Sequence, residues 1–366
     1  VIPRPSFRPF ACIPVFSLFC FQLHLFFVKS SFAERTLNTL TTQRLAPNHA
    51  LSWSEVKRPI VCLAPMDGVT NSAFRQIVRT LSKDVILFSE FTSVDGLVRS
   101  EHVRLRLDYE PCEQPFFMQL FGNSPKMFAE AARMVADRGI WGVDINMGCP
   151  AKKIVHSQHG SALMQDLDTA CRIVESIREA CPLEVSVKTR LGWKNEKNLI
   201  NFTKSLESAG ISMLTIHGRT YNQAFRGDAD WGPIHELKSH LKIPVIGNGD
   251  IRDYNDGLAH FGNLDGFMIG RAAIGNPWCF QDRRKFPEPT HHEHIELALK
   301  HYHLFRRFKQ ELVAVREFRK YLGNYVSGFR NAKEWRNRLM QCQDEASFVE
   351  CMQEIKQLEP PLALAG

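Results

Sequence analysis

None of the ten cysteines falls in a CxxC pair, and none joins other residues in a spaced metal-ligand cluster. Spacing therefore supports neither a zinc module nor a dithiol redox centre. The cysteines read as separate reduced thiols of a cytosolic-type compartment, and no metal is expected. Acids are missing before Glu34, and methionine before Met66. With 44% hydrophobic and 23% charged residues, the chain is neither disordered nor a multi-span membrane protein. Its 366 residues allow a large domain plus a small one, since single cores stop growing near ~250–300 residues.

The first residues differ from the rest. Residues 9–28, PFACIPVFSLFCFQLHLFFV, are mostly apolar, follow Arg4 and Arg8, and precede Ser31, Phe32 and Ala33. Their form resembles a signal peptide or marginal membrane span, and the missing acids suit an organelle transit segment. Gln22, His24 and Pro14 weaken the spanning reading, and a wrongly extended translation start explains the same features. Residues 1–57 are therefore set apart as an N-terminal extension. The expected location is cytoplasmic, unless the extension is a genuine transit segment.

The net charge of +7 is modest, but its placement is uneven. Between Lys300 and Arg338, eleven Lys/Arg stand against Glu311, Glu317 and Glu334, a surplus of eight that exceeds the charge of the whole chain. A basic face points to a polyanionic partner, because fixed cations displace counterions from phosphate. The alternative is a solvated, Lys/Arg-rich helix pair.

From Ile60 onward, eight apolar or β-branched runs alternate with amphipathic stretches. The runs are IVCLAP (60–65), VILFSE (85–90), FFMQLFG (116–122), GVDINMG (142–148), EVSVKTR (184–190), MLTIHGR (213–219), PVIGNGD (244–250) and GFMIGRA (266–272). Stretches such as 128–135 (FAEAARMV) and 170–177 (ACRIVESI) carry apolar residues at helical spacing. Near-continuous apolar strands with helices between them predict a parallel sheet covered on its faces. Eight such units predict a (β/α)8 TIM barrel over 58–286, with its polar strand ends gathered at the C-terminal face.

After Pro277 the pattern changes. Residues 287–290 (PEPT) read as a linker, and 287–366 is expected to form a small all-helical domain. Phe305, Phe308, Phe318, Tyr321, Tyr325, Phe329 and Trp335 interleave with its cations and are expected mostly in its core. His291, His292, His294, His301 and His303 are expected on solvent-facing helix surfaces.

Candidate chemistry lies at the ends of the runs. Gly247, Asn248, Gly249 and Asp250 end the seventh, and Gly270 and Arg271 end the eighth, where barrels often bind phosphate. Glycine admits close backbone approach, and Arg271 adds a charge-assisted bond. Gln119, Lys188 and His217 lie at the third, fifth and sixth ends. Lys188 alternates with Val185 and Val187, which aims it into the barrel mouth, where a charge is costly unless paired or bound. A cation so placed suits the anionic reduced form of a flavin. Cys149, on the Gly-Pro-framed loop after the fourth run, has the context of a nucleophile, a metal ligand or a general acid, although no partner spacing for a metal accompanies it.

Together these segments resemble the tRNA-dihydrouridine synthase family. The match rests on APMDGVTNSAFR (64–75), MQLFG (118–122), DINMGCPAKKIVHSQHGSALM (144–164), VSVKTRLGW (185–193), HGRTYNQAFRGDADW (217–231), PVIGNGDI (244–251) and DGFMIGRAAIGNPW (265–278), and covers about 57–340. It implies FMN, with Pro65 and Met66 against the flavin and Gln119, Lys188 and His217 at its isoalloxazine or ribityl groups. Asn248, Gly249, Asp250, Gly270 and Arg271 would hold the phosphate. Asn146 would position a uracil and Cys149 would act as general acid. NADPH or NADH would reduce FMN, hydride would pass to C6 of a uracil in tRNA, and Cys149 would protonate C5. Lys152, Lys153, Arg319, Lys320, Arg330 and Arg336 would meet the tRNA. No obligate protein partner is implied, and a monomer is expected.

Three other readings stay open at this point. A small-molecule FMN barrel, such as a dihydroorotate dehydrogenase-like enzyme, would share the phosphate loops and Lys188 but needs no basic tail. A non-catalytic tRNA-binding barrel is opposed by the intact loop from Asn146 to Cys149. A flavin-free phosphate-binding isomerase would be colourless.

Overall fold

The computed structural model describes Trp53 and residues 55–358. The apolar stretch 9–28, and any targeting role for it, lies outside these residues. The strands are β1 (Ile60–Leu63), β2 (Leu87–Phe88), β3 (Thr92–Ser93), β4 (Phe116–Phe121), β5 (Gly142–Asn146), β6 (Glu184–Arg190), β7 (Met213–His217), β8 (Val245–Asn248) and β9 (Gly266–Ile269). All pair in parallel, in the order β1-β9-β8-β7-β6-β5-β4-β2, with β3 also on β4. A parallel bridge from Cys62 to Ile86 returns β2 to β1 and closes the ring. Its two bonds, Leu63 N–H to the Ile86 carbonyl and Ile86 N–H to the Val61 carbonyl, are both 2.9 Å. This is the expected barrel.

One run departs from expectation. The segment 85–90 forms only β2, and β3 follows as a separate piece on the same neighbour. The Ser89 hydroxyl accepts the Gln119 N–H at 2.9 Å, taking the donor that a continuing ladder would have used. At the opposite edge, a Cβ on Gly266 would lie 1.9 Å from the Ile60 carbonyl oxygen. Glycine is what lets β9 pair with β1 there.

Side chains alternate between the two faces of each strand. Val143, Ile145, Val185, Val187, Leu214 and Ile216 point outward into the layer packed by helices, each burial worth about 1.5–3 kcal/mol. Cys62, Phe88, Phe117, Met213, Ile246 and Met268 fill the interior, and Trp53 stacks on Phe117 with its centroid 5.9 Å away. Above this apolar plug comes a buried polar layer of Gln119, Asp144, Ser186 and Thr215. The site stands on that layer.

Of the C-terminal helices, His291–Arg306 packs against the barrel helix Ser72–Leu81, Glu311–Phe318 and Glu345–Lys356 pack on His291–Arg306, and Ala332–Gln341 packs on Glu345–Lys356. The Tyr321 hydroxyl donates to the Val69 carbonyl at 2.7 Å and accepts from Asn71 Nδ2 at 3.2 Å. These bonds tie the helices to the loop after β1.

The histidines divide rather than all facing solvent. His292 and His303 are exposed, and His294 lies half-buried on Trp278. His301 is wholly buried among Phe74, Phe305, Phe318, Tyr321 and Tyr325, with Nδ1 3.2 Å from the Tyr325 hydroxyl. It shares the apolar stripe of Ile295, Ala298 and Phe305 at helical spacing, so it belongs to the core. Phe308, by contrast, is exposed. Burial, aided by nearby Lys320, brings the His301 pKa down to about 3. The fold thus prefers the neutral ring, whereas the unfolded chain takes up a proton near pH ~6.5. The resulting stability is complete above that pH and is lost as pH falls toward the folded value. Denaturant melts should lose ~2 kcal/mol between pH 7 and 5. The variant His301→Gln should remove that part of the slope.

Candidate active site

Parallel strands all deliver their C-terminal ends to one rim. There, Pro65 and Met66 after β1, Gln119 on β4, Asn146 and Cys149 after β5, and Lys188 on β6 meet His217 on β7, Asn248, Gly249 and Asp250 at β8, and Gly270 and Arg271 after β9. All line a single cavity of about 650 Å³. Residues from opposite ends of the barrel sequence, such as Ala64 and Ala272, share it because the ring brings β9 beside β1.

One side of the cavity is cationic. Lys188 Nζ donates to Asn248 Oδ1 at 2.9 Å, and Asn248 Nδ2 donates to the Met268 carbonyl at 2.8 Å. The Asn248 side chain is thus spent on aiming the lysine, and its carbonyl accepts the Gly218 N–H at 2.9 Å. Burial, reinforced by Arg190, lowers the Lys188 pKa to about 8. The Asp250 carboxylate is likewise engaged, by Arg219 Nη2 at 2.5 Å, Arg271 Nη2 at 3.0 Å and the Ala229 N–H at 2.8 Å. An ionised carboxylate has no proton to donate to a phosphate, so here it holds two arginines and a phosphate contact at Asp250 would fall to the backbone N–H. Burial among Lys188, Arg190, Arg219 and Arg271 pushes His217 far below its ordinary pKa, so its ring is neutral. Arg219 Nη1 lies 3.4 Å from His217 Nε2 and can approach it only as a donor.

Cys149 sits half-buried on the loop after β5, close to Arg190 and Lys188 on the adjacent strand. Asn146 Oδ1 accepts the N–H groups of Gly148 at 3.1 Å and Cys149 at 2.9 Å, which latches the loop to the end of β5. Burial raises the thiol above its usual pKa, while the Ala151 N–H and Arg190 pull against that rise. The thiol is therefore protonated at neutral pH, and a thiolate left behind would still have partners.

Sequence reasoning missed Arg190, Phe225 and Asp144. Arg190 lines the cavity and donates to the carbonyls of Gly148 at 2.7 Å, Thr220 at 3.2 Å and Ala224 at 2.8 Å. It lies two residues beyond Lys188 on the same strand face, and that period-two signal was available. Phe225, 60% exposed at the cavity mouth, has the guanidinium groups of Arg190 and Arg271 at 5.6 and 5.7 Å from its ring centre. No local pattern marks it.

The donor set suits a flavin mononucleotide: backbone and arginine for phosphate, lysine and neutral imidazole for polar groups, and Pro65 and Met66 for an apolar face. A Cβ on Gly249 would meet that of Ala229 at 2.5 Å, so the close backbone turn there needs glycine, at φ +132°. Residues 62–359 match the family described as dihydrouridine synthase. The chain belongs to the dihydrouridine synthase family. A probable tRNA-dihydrouridine synthase of Rickettsia conorii is 36% identical over 302 residues, covering 79% of this chain and 91% of that protein. The tRNA-dihydrouridine synthase B of Pseudomonas aeruginosa is 35% identical over 292 residues, covering 77% and 88%. Among solved structures, a 2-naphthoyl-CoA reductase complex aligns with TM-score 0.46 and 13% identity over 60% of this chain and 48% of that one. Membership rests on the family match and the sequence relatives.

In this member of the dihydrouridine synthase family, the cations expected to face RNA divide. Lys152 and Lys153 are exposed on the short helix Lys152–His156, just past the Cys149 loop. Arg330 is exposed and makes no ion pair or hydrogen bond among the described residues. Of the other three, Arg319 and Arg336 turn inward, whereas Lys320 is exposed but already has a partner. Arg319 donates to the Cys342 carbonyl at 2.9 Å and Arg336 to that of Val326 at 2.5 Å, satisfying orphan carbonyls at two helix C-termini. Lys320 bonds the Gly68 carbonyl and lies over the rings of Phe305 and Tyr321. Lys300, Arg307, Arg316 and Lys333 are exposed instead.

Proposed function

We propose that this protein is a tRNA-dihydrouridine synthase that holds FMN in the barrel cavity and reduces the 5,6 double bond of uridines in tRNA, with NADPH or NADH as reductant. Family membership supports the reaction class. The observation that carries the reading is the Cys149 thiol, on a latched loop, lining the same cavity as the cationic strand ends.

Once bound and reduced, the flavin would supply a hydride to C6 of the uracil. The rest falls to the chain. As charge develops from C5 toward the neighbouring carbonyl, C5 must gain a proton. Cys149 Sγ gives it: the S–H bond breaks, a C5–H bond forms and a thiolate remains. Arg190 and the Ala151 N–H are placed to stabilise that thiolate. Asn248 keeps Lys188 aimed at the cavity, and Asp250 does the same for Arg271. A target base must leave its stack to reach this site, and the exposed cations around it offer partners for the strand that remains outside.

The test is nucleoside mass spectrometry of tRNA from a strain without synthases of its own that expresses this chain. Uridines at one or a few positions should become heavier by two hydrogens, and the purified protein should be yellow. A yellow, well-expressed protein that restores no dihydrouridine would overturn the substrate, and a colourless one would overturn the flavin.

A further inference from the structure

Asp144, in the middle of β5, has no contact with the cavity, yet among the described residues it is the only carboxylate in the buried polar layer beneath it. Its Oδ1 accepts from Ser186 Oγ at 2.6 Å and its Oδ2 from Gln119 Nε2 at 2.6 Å. The Gln119 amide then has one way to face. With its NH2 toward the carboxylate, its Oε1 accepts from Asn146 Nδ2 at 3.0 Å. That in turn leaves Asn146 Oδ1 for the N–H groups of Gly148 and Cys149, at 3.1 and 2.9 Å. The line runs unbroken from a buried carboxylate to the backbone of the acid-bearing loop.

We propose that Asp144 is a positioning residue for Cys149, acting by setting the direction of the Gln119 and Asn146 amides. The inference rests on the synthase reading for its catalytic consequence, though not for its structural one. An amide's two ends have nearly the same shape, so the donors and acceptors at either end of the line decide its sense. A carboxylate only accepts, and two backbone N–H groups only donate, so the two ends agree. An amide of equal size keeps the agreement only by turning its NH2 onto Ser186 Oγ, a hydroxyl that can accept, so the carboxylate is replaced by an amide together with Ser186→Ala, which removes that acceptor. A donor at position 144 turns the Gln119 oxygen toward itself, the Gln119 NH2 toward Asn146, and the Asn146 NH2 toward two N–H groups that need an acceptor. Burial raises the Asp144 pKa to about 6, so it is ionised at neutral pH. Lys188 on β6 and the buried, protonated Cys62 thiol on β1 are the titratable groups that face it, with Gln119 and Ser186 as its hydrogen-bond donors.

Hydrogen exchange at the Gly148 and Cys149 amides reads the line directly and needs no substrate. In Asp144→Asn made together with Ser186→Ala these two amides should exchange about tenfold faster or more, since a buried group left unpaired costs that order of free energy. Single-turnover uridine reduction should fall by a similar factor. Adding Gln119→Glu to that pair returns an acceptor to Asn146. The new amide at position 144 then donates to the new carboxylate at position 119, and slow exchange should return. Gln119 lines the cavity, so only the exchange readout decides for this triple variant. Wild-type exchange in Asp144→Asn with Ser186→Ala, or fast exchange that adding Gln119→Glu does not reverse, would overturn the relay. Absence of dihydrouridine with the exchange pattern intact would overturn the synthase reading alone.

Discussion

Cys149→Ala should slow uridine reduction by about 10²–10⁴-fold, the usual contribution of a general acid, with flavin reduction by NADPH little changed. The split follows from position. Cys149 sits on the loop after β5, bonded through its backbone to Asn146, whereas Lys188 and His217 stand on β6 and β7 and Arg271 follows β9. Cys149→Ser keeps the shape but offers a much weaker acid, and should fall between alanine and wild type. The alkaline limb of the wild-type rate reports the same group. Burial raises the thiol, so the donor form survives past the ordinary thiol range and is lost only as pH climbs further. Stopped-flow kinetics of each half-reaction, read across pH, checks all three. An alanine variant that reduces uridine within a few-fold of wild type would place the proton donor elsewhere.

Glu113→Gln should destabilise the barrel by about 3–5 kcal/mol. Glu113 is fully buried, and its Oε2 meets Arg75 Nε and Nη2, both at 2.6 Å. Its Oε1 accepts from Ser72 Oγ at 2.5 Å and from the Glu110 N–H at 2.7 Å. Neutralising it strands a guanidinium that is 4% exposed and has no route to water. Arg75 also donates to the Thr70 carbonyl at 2.7 Å, and Thr70 Oγ1 accepts the Met66 N–H at 3.0 Å. The loop that presents Pro65 and Met66 therefore loosens with the pair, and flavin affinity should drop alongside stability. Calorimetry should show a Tm lower by on the order of 10 °C. Replacing both partners together, as Arg75→Met with Glu113→Leu, should recover most of the loss, because no unpaired charge remains. If Glu113→Gln melts alongside wild type, the pair contributes nothing net.

Much of the architecture was legible because its rules are local. Period-two apolar runs such as EVSVKTR, separated by stretches of helical period, leave few options besides a parallel barrel. The chain direction then assigns every strand end to one face. Lys188, His217 and the Gly249 turn could be placed at that face from spacing alone. Arg190 was within reach by the same period. What spacing cannot carry is partnership. That Asp250 holds arginines, that Arg319 and Arg336 cap helix ends while Arg330 faces water, and that His301 is core were decided through space. Each depends on which carbonyl, carboxylate or ring arrives from elsewhere along the chain, or from the next helix inward. The sequence by itself determined the barrel, the rim and the thiol at its mouth, because alternation and strand order belong to the chain. Only the tertiary structure decided which charges are free to meet a ligand, because a buried charge must be paired by whatever packs against it.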